Sequence, residues 1–129
     1  MREIEFRAKH TWNGSFVYGY LVCVPADNSY RITQGRETSY FIDPETVGQY
    51  TGLKDKNGTK IFEGDIIIGD IPELVGNQNL IGIVEYEESA FIVKFPNRQS
   101  WQIQKVGFCS FVNYRVIGNI YDNPELLED

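Results

Sequence analysis

Val47-Gly48-Gln49-Tyr50-Thr51-Gly52-Leu53-Lys54-Asp55-Lys56-Asn57-Gly58-Thr59-Lys60-Ile61-Phe62-Glu63-Gly64-Asp65-Ile66-Ile67-Ile68 carries the plainest structural signals in this chain. Asn57-Gly58 accepts positive φ readily, which makes the pair the strongest short-range signal for a β-hairpin. Glu63-Gly64-Asp65 reads as a second tight turn, in which glycine supplies the unusual φ. That turn delivers the chain into Ile66-Ile67-Ile68, a β-branched run that stops at Gly69 and is too short for a buried helix. Two turns and a buried strand in so short a segment point to a sheet protein.

Outward from this segment the chain alternates with period two. In Arg2-Glu3-Ile4-Glu5-Phe6-Arg7-Ala8-Lys9 the apolar Ile4, Phe6 and Ala8 point one way and the charges the other, the pattern of a half-buried strand. Asn13-Gly14 supplies the next turn. Phe16 to Val24 reads as a strand that is apolar on both faces, with Phe16, Tyr18 and Tyr20 sharing a face with Val22 and Val24. Weaker strand signals surround Arg31-Ile32 and Ser39 to Ile42. Asp43-Pro44-Glu45 predicts a short helical turn, with Asp43 as its cap and Pro44 at its first position. Leu80 to Tyr86 and Phe91 to Phe95 read as strands joined by Glu87-Glu88-Ser89-Ala90, and Trp101 to Val106 as another. Phe108 to Ile117 continues through Tyr121, and Asn123-Pro124-Glu125 caps a last helical turn that folds Leu126 and Leu127 back on the sheet.

Many short strands and no long amphipathic helix predict an all-β fold. The order of turns predicts a small SH3-like barrel over about residues 47–121, extended by the N-terminal strands and followed by the C-terminal helical turn. One domain over residues 1–129 is expected. A sub-division into an N-terminal sheet over 1–45 and a barrel over 46–129 is the alternative. The expected core includes Phe6, Val22, Ile67, Val84, Val93 and Ile117.

Composition limits the function classes. Apolar residues make up 42% of the 129, enough for a packed core. The formal charge of −6 repels phosphate backbones, so duplex DNA is not the default partner. The N-terminus has no apolar signal-peptide core, and no apolar run is long enough to span a bilayer. The expected compartment is the cytoplasm, and no membrane partner is expected. In a reducing compartment Cys23 and Cys109 are expected as buried free thiols rather than a disulfide. No Cys-x-x-Cys supports a zinc site.

No catalytic, cofactor or metal constellation stands out. Asp65 needs a second ligand or base to do chemistry, and none sits at a diagnostic spacing; a turn carboxylate accepting backbone N–H groups is the simpler account. Glu85, Glu87 and Glu88 form an acidic cluster of the kind found on solvated hairpins. His10, the single histidine, excludes multi-histidine metal sites and reads as structural beside Trp12. Gly48, Gly52, Gly58 and Gly64 lack the lysine and hydroxyl of a phosphate loop. One interval is unusual: between Glu88 and Asp122 there is no carboxylate. It holds Lys94, Arg98, Lys105 and Arg115, interleaved with Phe91, Phe95, Trp101, Phe108, Phe111 and Tyr114. Cations that track phosphates beside rings that stack bases are the equipment of single-stranded nucleic-acid binders. The simpler account is that the rings alternate into the core. Lys94, Arg98, Trp101 and Lys105 are the candidate surface for nucleic acid or another partner.

Three segments carry a resemblance. They are Arg2 to Ala8; Val47 to Gly58 continuing through Ile61-Phe62-Glu63-Gly64-Asp65-Ile66; and Val116-Ile117-Gly118-Asn119-Ile120-Tyr121-Asp122-Asn123-Pro124-Glu125-Leu126-Leu127. Together they resemble the YopX family of bacteriophage and prophage proteins. In that family a tryptophan commonly follows the first Phe-Arg-Ala. Here Lys9 follows and the tryptophan comes later, as Trp12, so the first turn is expected to differ. The resemblance implies a phage or prophage origin and brings no activity with it. The resulting expectation is a non-enzymatic accessory protein that binds another protein, of phage or host. Single-stranded nucleic acid through residues 89–121 is the alternative, a small carboxylate enzyme comes third, and self-association is left open.

Overall fold

The computed structural model describes residues 3–72, 79–95 and 105–127. The chain forms two compact units, Met1–Gly52 and Leu53–Asp129. Both are built from antiparallel strands, and the longest helical element described is the 3₁₀ turn Pro124–Leu127, of 4 residues.

The N-terminal unit holds β1 (Phe6–Lys9), β2 (Phe16–Val24), β3 (Ser29–Gln34), β4 (Thr38–Phe41) and most of β5 (Gly48–Lys54). Their order is β4-β3-β2-β1-β5. The first half of β2 pairs with β1, Phe6 opposite Gly19 and Lys9 opposite Phe16. The second half pairs with β3, Val22 opposite Arg31. The sheet curls far enough that His10 bridges to Ile42, just beyond β4, and the Asp43 N–H donates to the Lys9 carbonyl at 3.0 Å. Inside the curl Ala8, Ile32 and Ile42 are buried, with Phe6, Val17, Leu21, Tyr40 and Val47 packed round them. Asp43 caps the 3₁₀ turn Pro44–Thr46 by accepting the Glu45 N–H at 3.0 Å, and Pro44 occupies its first turn, as expected.

Three sequence expectations fail in this unit. Arg7 is buried, only 5% exposed, rather than facing water. β1 has a neighbour on each side, β2 and β5, and the Phe16 ring lies 4.3 Å from the Arg7 guanidinium. Ile4 lies ahead of β1 and is exposed. Val22 is 38% exposed, because the aromatic side of β2 is the outer side.

The second unit begins with the last two residues of β5, which enter the Asn57-Gly58 turn. There Asp55 N–H donates to the Thr59 carbonyl at 2.9 Å, and Gly58 takes φ +83°. β6 (Lys60–Phe62) follows, and Gly64, at φ +87°, turns the chain into β7 (Asp65–Asp70). The remaining strands are β8 (Leu80–Glu87), β9 (Ala90–Lys94), β10 (Lys105–Gly107) and β11 (Val112–Asn119). Their order is β10-β9-β8-β7-β11. Four strands run as a meander and the fifth returns beside the first, which is the strand order of an SH3-like barrel; the sheet is not closed. β5, which opens the 47–121 segment, pairs with β1. Ile61, Ile67, Ile71, Leu80, Val84, Val93, Phe95 and Phe111 form the core. Ile67, Val84 and Val93 are buried as expected, whereas Phe6 and Ile117 are half-buried. The strand predicted from Phe108 is broken by a 3₁₀ turn at Phe108–Ser110.

Cys23 and Cys109 are free, as expected, but both are exposed rather than buried. Cys23 lies near the far end of β2, and Cys109 in the 3₁₀ turn that interrupts the predicted strand.

Candidate interaction surface

Lys94 ends β9 and Lys105 opens β10, and the two are direct cross-strand partners, both exposed. The Lys105 ammonium forms an ion pair with Glu87 of β8. Their hydrogen bond and mutual charge push Lys105 above, and pull Glu87 below, their ordinary pKa values. Lys105 is thus neutralised by one of the three expected acidic residues. Arg98 and Trp101, the other half of the predicted surface, lie outside the described residues. Among the rings of the same interval, Phe95 and Phe111 are buried 5.9 Å apart, centroid to centroid. Phe108 and Tyr114 pack against that core. Phe91 is half-buried and meets Tyr86 edge-on at 5.0 Å. Of the described aromatics of the carboxylate-free interval, Phe95, Phe108, Phe111 and Tyr114 therefore serve the core.

The other candidates resolve into structural roles. Asp65 is 2% exposed, and its Oδ2 accepts the Phe62 N–H at 2.8 Å across the Gly64 turn. His10 Nδ1 accepts the Trp12 N–H at 3.1 Å, and its ring meets Tyr40 edge-on at 5.4 Å. Among the described residues no three His, Cys, Asp or Glu converge as a metal site. No described helix is long and apolar enough to cross a membrane.

The surface that sequence reasoning missed lies on the outer side of the N-terminal sheet. Alternation along β2 puts Phe16, Tyr18, Tyr20 and Val22 on that side. The register adds Lys9 from β1, Arg31 from β3 and Phe41 from β4, with the buried Arg7 beneath Phe16 on the same side. Tyr20 is 64% exposed, and Tyr18, Val22 and Phe41 are exposed as well. The cations hold the rings. Lys9 Nζ lies 4.4 Å from the centroid of Phe16, and the Arg31 guanidinium lies 4.4 Å from that of Phe41. Arg31 also donates to Asp27 Oδ2 at 2.8 Å and to Ser29 Oγ at 3.0 Å. The Asp27 carboxyl is held below its ordinary pKa, first by the Ser29 hydroxyl and then by the Ser29 N–H and Arg31. The β2 members of this face, Phe16, Tyr18, Tyr20 and Val22, were visible in its alternation. What the alternation lacks is a sign for which face is inside, because the inner face, Val17 and Leu21, is no more apolar than the outer.

Three comparisons bear on kinship. A family model described as YopX protein matches residues 5–128. Among curated proteins none matches the chain. Among solved structures, the crystal structure of protein EF1440 from Enterococcus faecalis is similar over 99% of this chain and 100% of that one, at 30% identity and a TM-score of 0.58. The family match over nearly the whole length, together with a solved relative of the same extent, settles kinship: the chain belongs to the YopX family.

Proposed function

We propose that this protein is a non-enzymatic binding module that docks another protein on the outer face of its N-terminal sheet. The supporting observation is the exposed set of Tyr18, Tyr20, Val22 and Phe41, flanked by cations already engaged with rings and with Asp27. Tyrosine and arginine dominate the energetics of protein interfaces, and rings held by neighbours lose little freedom on binding. A phosphate-binding face needs cations free to reach outward, and here Arg31 is spent on Asp27 and Phe41. The work belongs, on this reading, to the bacterial cytoplasm and to an accessory role in a phage or prophage.

The test is purification of the tagged protein from prophage-bearing or phage-infected cells, with and without nuclease. The wild type and a Tyr20→Ala/Phe41→Ala variant are compared. A protein partner should survive nuclease and be lost from the variant, since hot-spot truncations cost about 2 kcal/mol or more each. A partner retained by the variant overturns the assigned face. A partner removed by nuclease favours the alternative through Lys94, Arg98, Trp101 and Lys105.

A further inference from the structure

We propose that the turn at residues 55–58 is a plug on the open edge of β11, and that without it β11 pairs with β11 of a second copy. β11 is an edge strand of its sheet. An edge presents unpaired N–H and C=O groups, a ready template for another strand. On this edge the Tyr114 carbonyl and the Val116 N–H are both taken by the turn. Lys56 N–H donates to the Tyr114 carbonyl at 3.2 Å, and Asp55 Oδ2 accepts the Val116 N–H at 2.9 Å. A side-chain carboxylate thus stands where the backbone carbonyl of a neighbouring strand would stand.

The plug is held in shape by its own turn. Asp55 Oδ1 accepts the N–H groups of Asn57 and Thr59, each at 2.9 Å. The Gly58 N–H closes on the Asp55 carbonyl at 3.0 Å. Asp55 is only 7% exposed, so its carboxylate is committed to these donors. Opening the edge leaves β11 facing its own copy, and an antiparallel pairing of identical strands is self-complementary about a two-fold axis. This device is independent of the N-terminal face.

Two substitutions open the plug from different sides. Asp55→Ala removes the acceptor for Val116. Lys56→Pro removes the donor to Tyr114 at the second position of a turn, where proline is favoured, and so leaves the turn itself in place. Sedimentation velocity over a range of concentrations and hydrogen exchange at the Val116 amide are the readouts. In Asp55→Ala the Val116 amide should exchange at least about tenfold faster than in the wild type at low concentration, a change equivalent to about 1.4 kcal/mol or more. The double variant, which frees both the Tyr114 carbonyl and the Val116 N–H, should form dimers as concentration rises beyond the point where the wild type remains at its starting mass. A folded double variant that keeps the wild-type mass at every concentration overturns the proposal.

Discussion

Two aspartates in adjoining turns show how much context decides. Asp55 accepts N–H groups from Asn57, Thr59 and Val116, whereas Asp65 reaches back to Phe62. Burial pushes the Asp55 carboxyl up, but the Val116, Thr59 and Asn57 donors, with Lys56 beside it, outweigh burial and hold its pKa below the ordinary 3.8. A depressed folded-state pKa stabilises the fold above the ordinary value and loses that contribution as pH falls below 3.8 through the folded-state pKa. Asp55→Asn should therefore cost about 1–3 kcal/mol at neutral pH. Its melting temperature should also fall less steeply than the wild type's when thermal scans are taken down the acid range. The cysteines make a second test. Because Cys23 and Cys109 are both exposed, a thiol reagent should modify both in the native protein without denaturant. Modification of neither would place them back inside.

Hairpin turns separate what is favoured from what is merely tolerated. Gly58 sits at φ +83°, where a side chain is strained, so Gly58→Val should cost on the order of 1 kcal/mol or more in chemical denaturation. The β8–β9 turn has the opposite character. Glu88 and Ser89 take φ +52° and +68° between the paired Glu87 and Ala90. Both residues hold a left-handed conformation that favours Asn and Gly. Glu88→Asn with Ser89→Gly should raise stability by about 1 kcal/mol and the melting temperature by roughly a few degrees. The hairpins were legible in the sequence because turn chemistry is local: Asn57-Gly58, Gly64 and the Asp43-Pro44 cap each declare themselves within four residues. The facing of strands was not. β2 is apolar on both sides, so its parity groups Tyr18, Tyr20 and Val22 without saying that they face water. Nor does local alternation announce that the Phe16 ring lies over the buried Arg7 guanidinium.

Taken whole, the molecule carries a formal charge of −6, and in the carboxylate-free interval 89–121 Phe95, Phe108, Phe111 and Tyr114 are spent on the core. Labelled single-stranded oligonucleotides titrated at low salt, where surface charge is least screened, should show no binding. Salt-sensitive binding abolished by Arg98→Glu would instead restore residues 89–121 as the working surface. The composition of that interval was legible, but its use was not, because Phe95 and Phe111 meet through tertiary packing that alternation does not describe. The bond from Asp55 to Val116 spans 61 residues of sequence, and that separation matters during synthesis. A ribosome adding about 5–20 residues per second needs roughly 3–12 s to go from one to the other. Through that interval the Asp55 carboxylate has no Val116 N–H to accept. When β11 does emerge, its guard lies on the same chain, and a neighbouring nascent chain must compete with an intramolecular partner.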